Sequence, residues 1–244
     1  MHDGPAATYG AAMRDHLDAV ETRNAATLER IVERLLDVVA ADRLVHVGGT
    51  GHSTAQVLET FYRAGGLACV QLLHHPGLSP LEGGRASTVV ERTSGLAETL
   101  LVSASPQPGD LGFVFSHSGS NPAPVELAEG LGESGCTVVA VCSRPHLEAT
   151  TPRAHRKLDE VAHEVLDTGA PYGDAAFEGA AGQRTAPLSS LTGVYLWNLL
   201  LAHLVERAAE RGLELPLWQS ANVAGGDARN QETAARYRAR IDRL

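Results

Sequence analysis

The chain has 244 residues, is 43% apolar and carries a formal charge of −9. That length allows one large domain or two small ones, with enough apolar material for a sizeable core. The acidic balance argues against a nucleic-acid or anionic-membrane surface as partner.

Residues 1–43 read as a helical arm. Met13, Leu17 and Val20 recur at helical spacing, as do Leu28, Ile31, Leu35, Val38 and Val39. An interruption at Thr22–Asn24 is expected to divide the arm into two helices. His2, Asp3 and Gly4 introduce no apolar run, so no secretory signal is expected.

Strands and helices then alternate. Apolar runs at Leu44–Val47, Ala68–Leu73, Leu111–Phe115 and Thr137–Val141 read as strands, and a fifth short strand is expected within Leu158–Leu166. Helices are expected over Thr54–Ala64, stopped by Gly65-Gly66, and over Leu96–Val102 and Pro124–Glu133. Leu78–Arg92, with Gly83-Gly84, reads as a loop, and Pro108-Gly109-Asp110 as a turn. Leu188–Val205 is apolar but holds Ser189, Ser190, Thr192, Asn198 and His203, which makes it a buried core helix and not a membrane span. Residues 213–244 read as a C-terminal tail on a single domain spanning 1–244. Cys69, Cys136 and Cys142 have no metal-ligand spacing and read as reduced thiols of a cytoplasmic protein.

This alternation predicts an α/β fold, a three-layer α/β/α sandwich with a flavodoxin-like parallel five-stranded sheet of order 2-1-3-4-5. In that order strands 1 and 3 are neighbours, and ligands bind at the switch point between their carboxyl ends. Two loops stand there: Gly48-Gly49-Thr50-Gly51-His52-Ser53 and Ser116-His117-Ser118-Gly119-Ser120-Asn121. Glycines admit backbone N–H groups to an anion, serines add donors, and the helix that follows adds its dipole. The same residues also serve as turn formers and helix caps, with Asn121 as an N-cap ahead of Pro122. A dinucleotide fingerprint starting at Gly49 fails at Thr54, and the acidic ribose partner is absent where His74-His75 stand. No P-loop lysine or zinc-protease motif is present. The expectation is a phosphorylated sugar as ligand, without cofactor or metal.

Val45-His46-Val47-Gly48-Gly49-Thr50-Gly51-His52-Ser53 resembles the first strand and loop of sugar isomerase (SIS) domains. Gly109-Asp110-Leu111, leading to Ser116-His117-Ser118-Gly119-Ser120-Asn121, is similar to their second motif. Phe61-Tyr62-Arg63-Ala64-Gly65-Gly66 and Pro171-Tyr172-Gly173-Asp174 resemble a stand-alone bacterial subgroup. The resemblance implies phosphosugar binding, a homodimer with sites near the interface, and phosphate contacts from Ser53, Ser116, Ser118 and Ser120. Asn121 replaces the threonine of many members. Gly51 and Gly119 complete the expected phosphate set.

Aldose–ketose isomerisation needs a proton-transfer group near the sugar. His52, Gln56, Glu59 and Arg63 share a helical face that starts at the first loop, and Glu59 is the expected base. A solvated Glu59–Arg63 pair is the alternative. His52 and His117 lie within the loops as assisting groups. Glu82 and Glu91 flank the glycine-rich segment after strand 2 and either reach the site or belong to an exposed loop. Tyr172, Asp174 and Asn222 are expected sugar contacts. His203 reads as a core histidine beside Glu206. A sensor without catalysis, or an amino-sugar-phosphate deaminase or lyase, remains open on the same fold.

Overall fold

The computed structural model describes residues 5–179 and 181–244. His2, Asp3 and Gly4 lie outside the described residues. The arm is one unbroken helix, α1 (Pro5–Ala40). The expected break at Thr22–Asn24 does not occur, because both side chains support the helix. Thr22 Oγ1 donates to Asp18 O at 2.9 Å and Asn24 Nδ2 to Val20 O at 2.8 Å.

The sheet is parallel. Strands β1 (Val45–Gly49), β2 (Val70–Leu73), β3 (Leu111–Phe115), β4 (Thr137–Cys142) and β5 (Glu164–Asp167) lie in the order β2-β1-β3-β4-β5. Their side chains alternate between two cores, as strand geometry requires. Phe113, Phe115, Val139 and Val141 face one side, where Phe113 meets Trp197 edge-on with ring centroids 5.2 Å apart. Val114, Val138 and Ala140 face the other.

The first core is covered by α1, by α2 (Thr54–Thr60), and by two C-terminal helices, α8 (Ser189–Glu210) and α9 (Gly226–Tyr237). Gly193 lets α8 approach α2, since a Cβ there would lie 2.4 Å from Gln56 Cδ. The second core is covered by α4 (Leu96–Ala104) and α5 (Pro122–Glu133), with α6 (Arg144–Ala149) and α7 (Leu158–Val161) beside it. Ahead of α4, the helix α3 (Gly84–Glu91) occupies the segment expected to be a loop. Gly83 provides its start at φ +139°, and Ser87 Oγ returns a bond to Gly84 O at 3.1 Å.

An antiparallel ribbon, β6 (Ala175–Glu178) with β7 (Arg184–Pro187), leaves the body between β5 and α8. The tail is likewise structured. Trp218 N donates to Gly66 O at 3.0 Å, and Asn230 clamps Gln219 through its N–H (2.8 Å) and C=O (2.9 Å). No helix among the described residues is long and apolar enough to cross a membrane.

Asp110, from the motif before β3, fastens the two central strands at the edge opposite the switch point. It accepts from Leu44 N at 3.1 Å, Gln107 N at 2.9 Å and the buried His46 ring at 2.9 Å. Burial alone would raise its carboxyl, but these donors outweigh burial and hold it below the usual range.

Candidate functional site

Gly49 pairs in register with Phe115, so the loops leaving β1 and β3 emerge side by side. They enclose a cavity of about 270 Å³, closed on one flank by α3 and on another by Asp174 and Ser189. The sequence-predicted residues Gly51, His52, Ser53, Ser116, His117, Ser118, Asn121 and Asp174 all line it. Among the described residues that line it there is no lysine or arginine.

The hydroxyls of Ser53 and Ser118 make no hydrogen bond within the described chain, and Ser116 Oγ accepts from Gly119 N at 3.2 Å. Gly119 does not line the cavity. It turns the loop at φ +54°, where a Cβ would lie 2.8 Å from Leu147 Cδ2 and 3.1 Å from Leu158 Cβ. Ser120, expected on the phosphate, is fully buried behind the loop. Its hydroxyl donates to Ser118 O at 2.7 Å and meets Thr150 Oγ1 at 3.2 Å, so it braces the loop and has no face on the cavity.

His117 presents two buried ring nitrogens with no hydrogen-bond partner among the described residues. Burial lowers its pKa, with Asp174 opposing weakly, so the ring is neutral near pH 7. Its edge meets the His146 ring at 4.5 Å, and His146 meets Tyr172 at 5.0 Å. Tyr172 is therefore two rings removed from the cavity, and its own ring is 60% exposed. Asp174 stands at φ +68° and directs its carboxylate to the start of α8. It accepts from Ser189 N at 2.7 Å, Leu188 N at 2.9 Å and Ser189 Oγ at 2.6 Å.

Asn121 occupies the N-cap position of α5 with Pro122 after it, yet its side chain does not cap the helix. Its Nδ2 donates to Glu91 Oε1 at 3.0 Å, while its Oδ1 accepts from Arg153 Nη1 at 3.3 Å. Glu91, at the end of α3, thus reaches the cavity. Burial raises its pKa, opposed by the Thr50 hydroxyl and by Arg92 and Arg153.

Three further expectations move. Glu59 does not line this cavity. It pairs with Arg63 at 2.9 Å, accepts from Asn198 Nδ2 at 3.1 Å, and borders a separate hollow of about 290 Å³ with Gly65 and Gly66. Glu59 sits at the end of α2 away from the first loop, where its carboxylate is drawn to Arg63 and to Asn198 of α8, the pairing given above as the alternative. Phe61 turns extended and Tyr62 packs on Trp218, with centroids 4.7 Å apart. Asn222 is exposed in the turn before α9, where its N–H donates to Ser220 Oγ at 3.2 Å, and it does not line the cavity. His203 faces Glu29 at 3.4 Å, not Glu206. Sequence reasoning passed over Thr50, Ser87, Thr88 and Ser189, all of which line the cavity. The four-residue spacing of Ser87 and Glu91 was the available signal, hidden by reading that stretch as a loop.

Among the described residues, no group of three or more His, Cys, Asp or Glu side chains is placed to hold a metal ion. The family model described as the SIS domain matches residues 8–143. A UPF0309 protein of Listeria monocytogenes is 33% identical over 214 residues, covering 86% of this chain and 87% of its own. A UPF0309 protein of Brucella canis is 34% identical over 229 residues, covering 93% and 94%. Among solved structures, the phosphoheptose isomerase GmhA of Neisseria gonorrhoeae superposes with a TM-score of 0.55 at 16% identity, over 82% of this chain and 96% of that one. The sugar isomerase domain of the RpiR transcription factor from Sphaerobacter thermophilus gives 0.51 at 18% identity, over 95% and 98%. The Vibrio vulnificus NanR protein, complexed with ManNAc-6P, gives 0.52 at 16% identity, over 97% and 69%. At such identities these structures share the fold and nothing finer. The chain belongs to the SIS domain family.

Proposed function

We propose that the cavity binds a phosphorylated sugar and interconverts its aldose and ketose forms. The observation that carries the reading is the convergence of free hydroxyls and an unpartnered histidine in one cavity at the switch point. Ser53, Ser116 and Ser118 would hold the phosphate, with Gly51 and the starts of the following helices supplying N–H groups. The NanR structure with ManNAc-6P supports a phosphosugar as the ligand type on this fold.

His117 takes the proton-transfer role first assigned to Glu59. A neutral imidazole has one nitrogen that accepts and one that donates. It can remove the proton from the carbon beside the carbonyl and return it to the neighbouring carbon, while His52 at the rim meets the sugar oxygens. Asp174 directs its hydrogen bonds to the α8 terminus and shapes the wall. The reading includes a homodimer, as the family resemblance implies, and a cytoplasmic location, as the cysteines read as reduced thiols suggest.

The test is incubation with a panel of sugar phosphates in deuterated water, with solvent exchange at C1 or C2 followed by NMR. Exchange that disappears in His117→Ala supports the isomerase. Thermal stabilisation by a sugar phosphate without any exchange makes the protein a sensor, and release of ammonia makes it a deaminase.

A further inference from the structure

One donor of the phosphate loops, the Asn121 amide, is already engaged by a carboxyl group of the chain itself. Glu91 Oε1 accepts from Asn121 Nδ2 at 3.0 Å, and a Cβ on Gly51 would lie 3.5 Å from Glu91 Oε2. Asn121 and Gly51 belong to the two loops assigned to the phosphate, so the carboxylate stands where the phosphate must be received. No cation lines the cavity to separate two negative groups. Arg153 bonds Asn121 Oδ1 and does not line the cavity.

We infer that Glu91 is a resident stand-in for the phosphate, and that phosphate binding takes up one proton, shared between the Glu91 carboxyl and the bound phosphate. The inference rests on the phosphosugar reading of this cavity. The balance is simple. A carboxylate and a phosphate dianion come into contact, one proton enters from solvent, and a hydrogen bond forms between the two oxygens. The proton resides on the carboxyl or on the phosphate, whose own second pKa is about 6. Without it, two like charges would meet at contact distance with no ion between them.

The groups that bear on Glu91 come from every neighbouring element. Arg92 follows Glu91 at the C-cap of α3, and Arg153 lies on the loop after α6. His52, His117 and Asp174 lie across the cavity. Burial already displaces Glu91 upward, which shortens the distance to protonation. Binding is therefore linked to pH through one proton.

The experiment uses the full chain and two probes, inorganic phosphate and ribose 5-phosphate, titrated calorimetrically from pH 7.5 to 9 in buffers of different ionisation enthalpy. That window is above the ordinary histidine range. The expected result is an affinity that falls with rising pH, approaching about tenfold per unit, with buffer-dependent heat equal to about one proton taken up. Glu91→Gln keeps the shape, an acceptor for Asn121 and the fold. It should bind at pH 8.5 about tenfold more tightly or better, with the pH slope and the proton uptake both gone. A flat wild-type profile with no proton uptake overturns the inference, because the phosphate then displaces Glu91 without protonation. Retention of the slope in Glu91→Gln also overturns it. Failure of both probes to bind at any pH removes the phosphosugar reading itself, and this inference with it.

Discussion

Asn24 and Asp167 are joined by two backbone-type hydrogen bonds through a single amide. Asn24 Nδ2 donates to Asp167 O at 2.9 Å, and Asp167 N donates to Asn24 Oδ1 at 2.8 Å. The α1 side chain thereby acts as a one-residue strand on the open side of β5. Asp167 in turn accepts from Arg144 N at 3.0 Å and Gly169 N at 2.9 Å, so the helical arm is tied to the loops beyond the strand.

Asn24→Ala would leave a buried N–H and a buried C=O without partners. Each such group costs about 1–3 kcal/mol, so a loss of about 2–6 kcal/mol is expected in urea unfolding. Asn24→Asp should lose a similar amount, because it keeps the acceptor and removes the donor. An unchanged midpoint in either variant would show that this amide pair contributes nothing to holding the arm.

Gly119→Ala tests the turn beneath the second loop. The added methyl meets Leu147 and Leu158 at φ +54°, so strain and overpacking act together. A destabilisation of about 2–4 kcal/mol is expected, with loss of phosphosugar binding in the protein that remains folded. Thermal unfolding and equilibrium binding together read out both parts.

Ser118→Ala removes a free hydroxyl and leaves the packing in place. A hydrogen bond to a charged group is worth about 1.5–3 kcal/mol, so binding of ribose 5-phosphate should weaken by about ten- to a hundredfold at unchanged Tm. Ser120→Ala should lower Tm through the Ser118 and Thr150 contacts and leave the same binding site occupied by its other donors. Equal effects of the two substitutions on binding would remove the distinction drawn between a contact and a brace.

Acid should act on stability through the histidines before it reaches the carboxylates. Burial lowers His16, His74, His117 and His146 below the ordinary 6.5. The unfolded chain then binds protons near pH 6.5 that the folded chain does not bind until lower pH. Their stabilising share is complete above 6.5 and is lost as pH falls below it. Tm should decline from pH 7 to 5, and less steeply in His117→Gln. The same ring sets the activity profile. If exchange depends on the neutral imidazole, the rate falls on the acid side with a midpoint below 6.5.

The sheet was legible because its strands are compact apolar runs, and Leu111–Phe115 coincides with β3 residue for residue. The order followed from the βαβ rule, which depends on alternation and not on fine boundaries. Helices held by few buried residues were not legible. Of α9 only Gly226, Ala234 and Tyr237 are buried, and of α3 only Ser87. The loops of the site were readable from composition, since hydroxyls and glycines between strand and helix have a local cause. Glu91 was not assigned because its position depends on a bond to Asn121, thirty residues distant in sequence. Glu59 was assigned because it shares a helical face with His52, but a face shared over two turns does not bring its far end to the loop, and the carboxylate there meets Arg63 and Asn198.

Asp174 gives the cavity an uneven stiffness. On its side the wall is anchored to the first turn of α8, a helix of 22 residues whose middle is sealed into the core by Leu196, Trp197 and Leu200. The opposite wall is α3, eight residues long with Ser87 as its buried member. If the cavity takes sugar phosphates as proposed, differences in their length are expected to be taken up on the α3 side. On the proposed reading, the α8 side is the fixed reference of the cavity and the short α3 is the side that adapts to the ligand.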